Sequence, residues 1–278
     1  MNTQTIVHQN HKKKRESGIF IAVPTTGIVR YEWHMAFQAL VTPTNWSSVS
    51  MSRGISAAQG YTVAQARNLL IRDFLQSNRD WLLFIDHDVL VTPNLHIWVR
   101  SHVENPISPV IGGLYYVKGT PAEPLIYRGN GDGAYKKFVL GEKVWCSGLG
   151  MGCTLLEREF VETLWRASPV IKLPDGSMAR KVFHTPQTAW IDPETQKWMV
   201  LSGTEDLYML GNAIKLDIFK KIPKWKHLSG KKYPYIVDTN LFLRHINING
   251  MQYPLEEDFP AGYVEWRKAQ QKVWDGGA

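Results

Sequence analysis

The feature that narrows the possible folds most is the apolar run Trp81-Leu82-Leu83-Phe84-Ile85, which passes without a break into Asp86-His87-Asp88. A short apolar run that does not alternate belongs to a strand covered on both faces, the situation of a parallel sheet. A second such run, Ile19-Phe20-Ile21-Ala22-Val23, is ended by the turn residues Pro24-Thr25-Thr26-Gly27. Between the two, residues 63–75 carry apolar side chains at helical spacing. Strand, helix and strand in this order imply a right-handed crossover and parallel pairing. Ligands of such sheets gather at the carboxyl ends of the strands, so positions 24–26 and 86–88 are expected on one rim.

The 63–75 helix has Thr62 as its expected N-cap. Val63, Ala66, Leu70 and Phe74 form its apolar stripe, and Arg67 falls on that stripe. A guanidinium pointing inward needs an anion. An internal carboxylate and a ligand phosphate satisfy that need equally, and spacing does not choose. Elsewhere the pattern predicts helices over 30–40, 158–166 and 205–215. Strands are expected at 47–52, 110–116, 235–238 and 241–248, a loop over 117–135, and a turn-rich hairpin excursion over 173–203. Residues 1–17, polar and charged without periodicity, read as a disordered leader. The remainder, 18–278, reads as one domain with no internal linker.

Composition restricts the setting. Apolar residues are 44% and charged residues 21%, the balance of an ordinary globular protein. The longest apolar runs fall far short of the roughly 20 residues that cross a bilayer, and no export-signal stretch precedes the first strand. The two cysteines, Cys146 and Cys153, make neither a disulfide framework nor a zinc site and read as buried thiols. A cytoplasmic location is expected. The net charge of +7 suits an anionic partner, whether nucleotide, phospholipid surface or nucleic acid. The lysines at 220, 221, 224, 226, 231 and 232 read as solvated surface.

Chemistry concentrates in the acids. Asp86 and Asp88, one residue apart at the end of a buried strand, can converge on one hard cation. Such charges are costly at that depth without a partner. Glu205-Asp206 open a helix, where acids either complement its dipole or serve as a general base. His245, in Asp238-Thr239-Asn240-Leu241-Phe242-Leu243-Arg244-His245, is by spacing alone an ordinary structural histidine.

Taken in order, Val23-Pro24-Thr25, Ala66-Arg67-Asn68, Phe84 to Asp88, Gly148-Leu149-Gly150-Met151-Gly152, Gly203 to Asp206 and Asp238 to His245 resemble the GT-A glycosyltransferases, in particular the family-2-like group. The resemblance spans about 18–250. It implies a single GT-A, Rossmann-like domain: a mostly parallel sheet with helices on both faces and a smaller antiparallel part on the acceptor side. Residues 18–116 would be the nucleotide-sugar-binding half and 144–250 the acceptor-side half. Pro24, Thr25 and Thr26 would line the base pocket, with Arg67 and Asn68 near the donor. Asp86 would bind the ribose or the metal shell, and Asp88 and His245 would ligate the metal through its DXD motif. Asp206 would be the base of an inverting transfer, with Glu205 supporting the acceptor. Mixed carboxylate and imidazole ligation favours Mn²⁺, with Mg²⁺ the alternative. The donor would be a UDP- or GDP-sugar, and the acceptor a glycan, lipid-linked sugar, protein or modified nucleic acid. The competing readings are a nucleotidyltransferase with a related core and a non-catalytic nucleotide- or sugar-binding module.

Overall fold

The computed structural model describes residues 18–25, 27–41, 51–52, 61–129 and 133–274. Along the chain come β1 (Ile19–Ala22), α1 (Tyr31–Gln38), β2 (Met51–Ser52), α2 (Val63–Gln76), β3 (Trp81–Ile85), β4 (Val89–Leu90), α3 (Leu95–Glu104) and β5 (Val110–Leu114). Then follow β6 (Ile126–Tyr127), β7 (Lys143–Cys146), β8 (Gly148–Leu149), β9 (Cys153–Glu157), α4 (Arg158–Ala167), β10 (Val170–Lys172) and β11 (Met178–Arg180). The remainder is β12 (Gln187–Ile191), β13 (Trp198–Ser202), α5 (Glu205–Lys215), β14 (Tyr235–Phe242), β15 (Arg244–Ile246), β16 (Gln252–Tyr253) and α6 (Tyr263–Trp274). The proposed leader and Thr26 lie outside the described residues.

The main sheet has the order β2-β1-β3-β9-β5-β14-β7. β1 is parallel to β2 and β3, and β5 is parallel to β14. The expectation of a mostly parallel sheet is corrected at its centre, where β9 runs antiparallel to both β3 and β5. β7 is antiparallel to β14 at the edge. The reason is local. The chain enters β9 from β8 through a glycine-rich turn instead of a crossover helix, so it returns in the opposite direction. Because β9 is as buried as its neighbours, its apolar run carries no sign of that direction.

Successive residues of β1 and β3 serve opposite faces. Phe20, Ala22, Leu82 and Phe84 join Leu70 and Phe74 of α2 and Phe160 and Leu164 of α4. Ile19, Ile21, Leu83 and Ile85 pack with Trp33 of α1 and Trp98 and Val99 of α3. α2 starts where expected: the Thr62 hydroxyl accepts from Gln65 N at 3.4 Å, and the Gln65 side chain accepts from Thr62 N at 3.0 Å.

A second sheet, β16-β15-β4, stands just beyond the carboxyl end of β3. It pairs His245 with Val89, across from the Asp86–Asp88 turn. The 173–203 excursion resolves into parts of two hairpins, β10–β11 and β12–β13. Both cysteines are free and buried, as expected. No helix among the described residues is long and apolar enough to cross a membrane.

Candidate functional site

Arg67 sits at the centre of the carboxyl-end rim, on the first turns of α2, and is almost fully buried. Its Nη2 donates to both oxygens of Asp86, at 2.9 and 2.8 Å. Its Nη1 donates to Asp206 Oδ1 and lies 3.3 Å from Glu205 Oε1. The guanidinium therefore answers carboxylates of its own chain. The acids at both ends of the domain, 86 and 205–206, are drawn together on one cation. Phe84 and Phe183 flank it, their ring centroids 5.7 and 5.6 Å from the guanidinium carbon.

Three carboxylates on one guanidinium leave the cluster short of positive charge. Burial disfavours the charge on Arg67, yet Asp206, Asp86 and Glu205 outweigh it and hold its pKa above the ordinary value. Burial pushes Asp86 upward against the pull of Arg67. Asp206 is pushed up to about 6 by burial, with Arg67 opposing and Glu205 adding. The second Asp206 oxygen, Oδ2, accepts from Met151 N at 3.0 Å. Tyr115 lies under this glycine-rich turn, its hydroxyl accepting from Gly152 N at 2.7 Å. A Cβ at Gly152 would come within 2.8 Å of Val89 Cγ2 and 2.9 Å of the Tyr115 oxygen. The alternating glycines are what let the turn close over Tyr115.

Asp88 and His245 meet 3.8 Å apart, Oδ1 to Nε2, although 157 positions separate them in sequence. The His245 Nδ1 lies 2.6 Å from the Tyr116 carbonyl oxygen and must donate to it. That bond fixes the tautomer and turns the Nε2 lone pair toward Asp88. Burial lowers the His245 pKa against the pull of Asp88, which favours the neutral, ligating ring. For Asp88, burial acts upward but His245 and the Lys118 ammonium prevail, and the pKa is lowered. Two lone-pair groups facing one another at this distance suit a cation between them, and on its other oxygen Asp88 already holds the Lys118 ammonium.

The remaining expected residues divide. Pro24, Thr25, Asp86 and Asp88 line one cavity of about 250 Å³ together with Tyr61, Val63, Ala66 and His87. Both oxygens of Asp86 accept from Arg67, and each keeps a second lone pair that faces no protein donor in this pairing. Among the described residues no group of three ligating side chains is placed to hold a metal ion, so Asp88 and His245 would hold one only with ligand or water oxygens completing its shell. The expectation for Asn68 is corrected. Its amide donates to Phe183 O at 2.9 Å and accepts from Val182 N and Phe183 N at 3.1 and 2.8 Å. It is a buried clamp on the 182–183 turn. A larger cavity of about 560 Å³, between α6 and β4, β14 and β15, contains none of these acids.

Sequence reasoning missed Lys118, Trp33 and Tyr116. Trp33 donates its indole N–H to Asp86 O at 2.9 Å and so supports the acidic turn. Lys118 and Tyr116 lie in and beside a stretch read only as loop, and no local pattern marks them.

No family model and no curated protein matches the chain. Among solved structures, A197 from STIV aligns with 84% of this chain and 92% of its own length, at 18% identity and a TM-score of 0.50. That likeness is one of fold. S. aureus TarS, residues 1–349, covers 52% of this chain and 48% of its own, with 12% identity and a TM-score of 0.34. A putative glucose-1-phosphate thymidylyltransferase from Bacillus anthracis covers 55% and 76%, with 13% identity and a TM-score of 0.30. Similarity at these last two levels carries no argument about function.

Proposed function

We propose that the chain is a metal-dependent glycosyltransferase of the GT-A type, moving a sugar from a UDP- or GDP-sugar to an acceptor hydroxyl. The observation that carries this reading is the Asp88–His245 pair, with its histidine tautomer set for ligation, Asp88 being also a wall of the Pro24–Asp88 cavity. Mn²⁺ is the proposed ion, with Mg²⁺ the alternative; when bound, it supplies charge that makes a nucleoside diphosphate a competent leaving group. Pro24 and Thr25 line the donor cavity. Arg67 holds Asp86, Glu205 and Asp206 in fixed relation without touching the donor. Asp206, at the start of α5, accepts the acceptor hydroxyl proton as the sugar–phosphate bond breaks. Glu205 lies beside it and helps orient the acceptor.

The test is release of UDP or GDP from the corresponding sugar nucleotides by the full chain, with Mn²⁺ and with the metal chelated. Release should require the ion and disappear in Asp88→Ala while the circular dichroism spectrum is unchanged. Release that survives both treatments, or no release from any donor, overturns the proposal. Formation of a sugar nucleotide and pyrophosphate from a sugar 1-phosphate and a nucleoside triphosphate would reassign the chain as a nucleotidyltransferase.

A further inference from the structure

The excess positive charge falls in two places, the tract Lys12, Lys13, Lys14 and Arg15 and one segment near the end of α5. Lysine and arginine number 32 and the acids 25, giving +7 for the whole chain. Residues 215–232 contain Lys215, Lys220, Lys221, Lys224, Lys226, Lys231 and Lys232 against a single acid, Asp217, so 7 minus 1 places +6 in this one segment. All of these lysines are exposed. The one acid, Asp217, accepts from Ser229 Oγ at 2.9 Å within the segment. Lys224 pairs with Glu157 at the border, and no other ion pair is formed by these lysines among the described residues.

The segment is also held in place. It begins at the end of α5 and continues as two 3₁₀ turns, Ile218–Lys221 and Pro223–Leu228. Ile218, Phe219, Ile222, Trp225 and Leu228 are buried beneath it. Buried apolar residues anchor the segment, and its ammonium groups stand in solvent. Fixing like charges side by side opposes folding, so the density calls for a counter-charge outside the chain. Asp206 and Lys215 stand near opposite ends of α5, roughly 14 Å apart along its axis, so the lysine surface is separate from the acidic rim.

We infer that the 215–232 surface docks the protein on an anionic phospholipid bilayer. Its chemistry favours lipid headgroups over nucleic acid. The segment has lysines and no arginine, so it offers point charges instead of the forked donors suited to individual phosphates. Trp225, its one tryptophan, is buried and so is no platform for bases to stack on. A plateau of lysines answers a diffuse sheet of negative charge, each worth about fivefold in partitioning when near the surface. This inference does not depend on the activity proposed above.

The test is co-sedimentation of the full chain with phosphatidylcholine vesicles and with vesicles in which about a third of the lipid is phosphatidylserine. Binding should require phosphatidylserine and be lost between about 0.1 and 0.5 M salt. Lys220→Glu/Lys221→Glu/Lys226→Glu should lower partitioning by about 100-fold or more. These exposed positions are not part of the buried core, and an unchanged melting temperature and circular dichroism spectrum would confirm an intact fold. Equal binding by the parent and the triple variant overturns the inference, as does absence of vesicle binding. Binding of an oligonucleotide in place of vesicles would overturn it in favour of nucleic acid.

Discussion

Asp206 carries two incompatible demands, and they decide how it should behave. Its carboxylate is fixed by Arg67 and Met151 N, which restrains it, and burial pushes its pKa up to about 6, which makes it more basic than an exposed aspartate. A base must be ionised to accept a proton, so donor turnover should climb as pH rises through about 6 and then level. Asp206→Asn keeps the size of the side chain but cannot take the proton. It should lower kcat by about 10²–10⁴-fold and abolish that acid limb, with donor affinity nearly unchanged. A pH–rate profile of parent and variant makes the comparison. Near-normal turnover in the variant would leave the residue as a helix-dipole partner, worth about 0.3–1 kcal/mol of stability. None of this pairing was visible at the single-residue level in sequence. The stripe on α2 put Arg67 inside without naming its partner, because partners 19 and 139 positions away leave no periodic trace.

The elements were legible in proportion to how local their causes are. β1, β3, α2 and α5 follow from unbroken apolar runs, a capping box and helical spacing, all contained within a few residues. α3 was overlooked although Leu95, Trp98, Val99 and His102 have the spacing of a buried helical face and are buried. The direction of β9 was not readable, since burial on both faces looks the same for either orientation. Asn68 illustrates how an element can borrow a motif's appearance. It follows Arg67 in a family-like pair, yet its three hydrogen bonds tie α2 to the 182–183 turn. Asn68→Ala would leave buried backbone N–H groups without acceptors and should cost about 2–3 kcal/mol in denaturant unfolding. Donor affinity measured well below the transition should not change. A selective loss of donor affinity would return Asn68 to the binding site.

For the molecule as a whole, the acidic rim couples stability to pH. Asp206 has a folded pKa of about 6 against an ordinary 3.8, so between these values the folded state holds the proton more strongly. Its contribution is full at the lower pH and lost as pH rises through about 6. Asp86, also raised, acts in the same direction. His245, lowered by burial, acts oppositely, because the unfolded ring takes up a proton first as pH falls. Comparison of the parent with Asp206→Asn reads the share of Asp206 together with its influence on Asp86, whose pKa the Asp206 charge helps to raise. The stability advantage of the parent should shrink between pH 4 and 7 by at most about 2–3 kcal/mol. Urea unfolding at the two pH values measures it, and a difference that grows with pH would contradict the protonation assigned to Asp206. The α/β class was legible in the order of apolar runs and helical stripes, whereas the mixed direction of the central strands was not. Nor was the charge distribution, because a count of lysines does not reveal which are backed by a buried apolar floor.

The ladder that joins β4 to β15 has a consequence for selectivity. Val89 faces His245 in that ladder, and Ile246 N donates to Asp88 O at 2.8 Å, so the backbones bearing Asp88 and His245 are stitched together. The Cα atoms that carry the two side chains cannot be moved apart without breaking strand pairing. Under the proposed function this pairing would act as a gauge: an ion of the wrong dimensions would meet the cohesion of a sheet instead of a pliant loop.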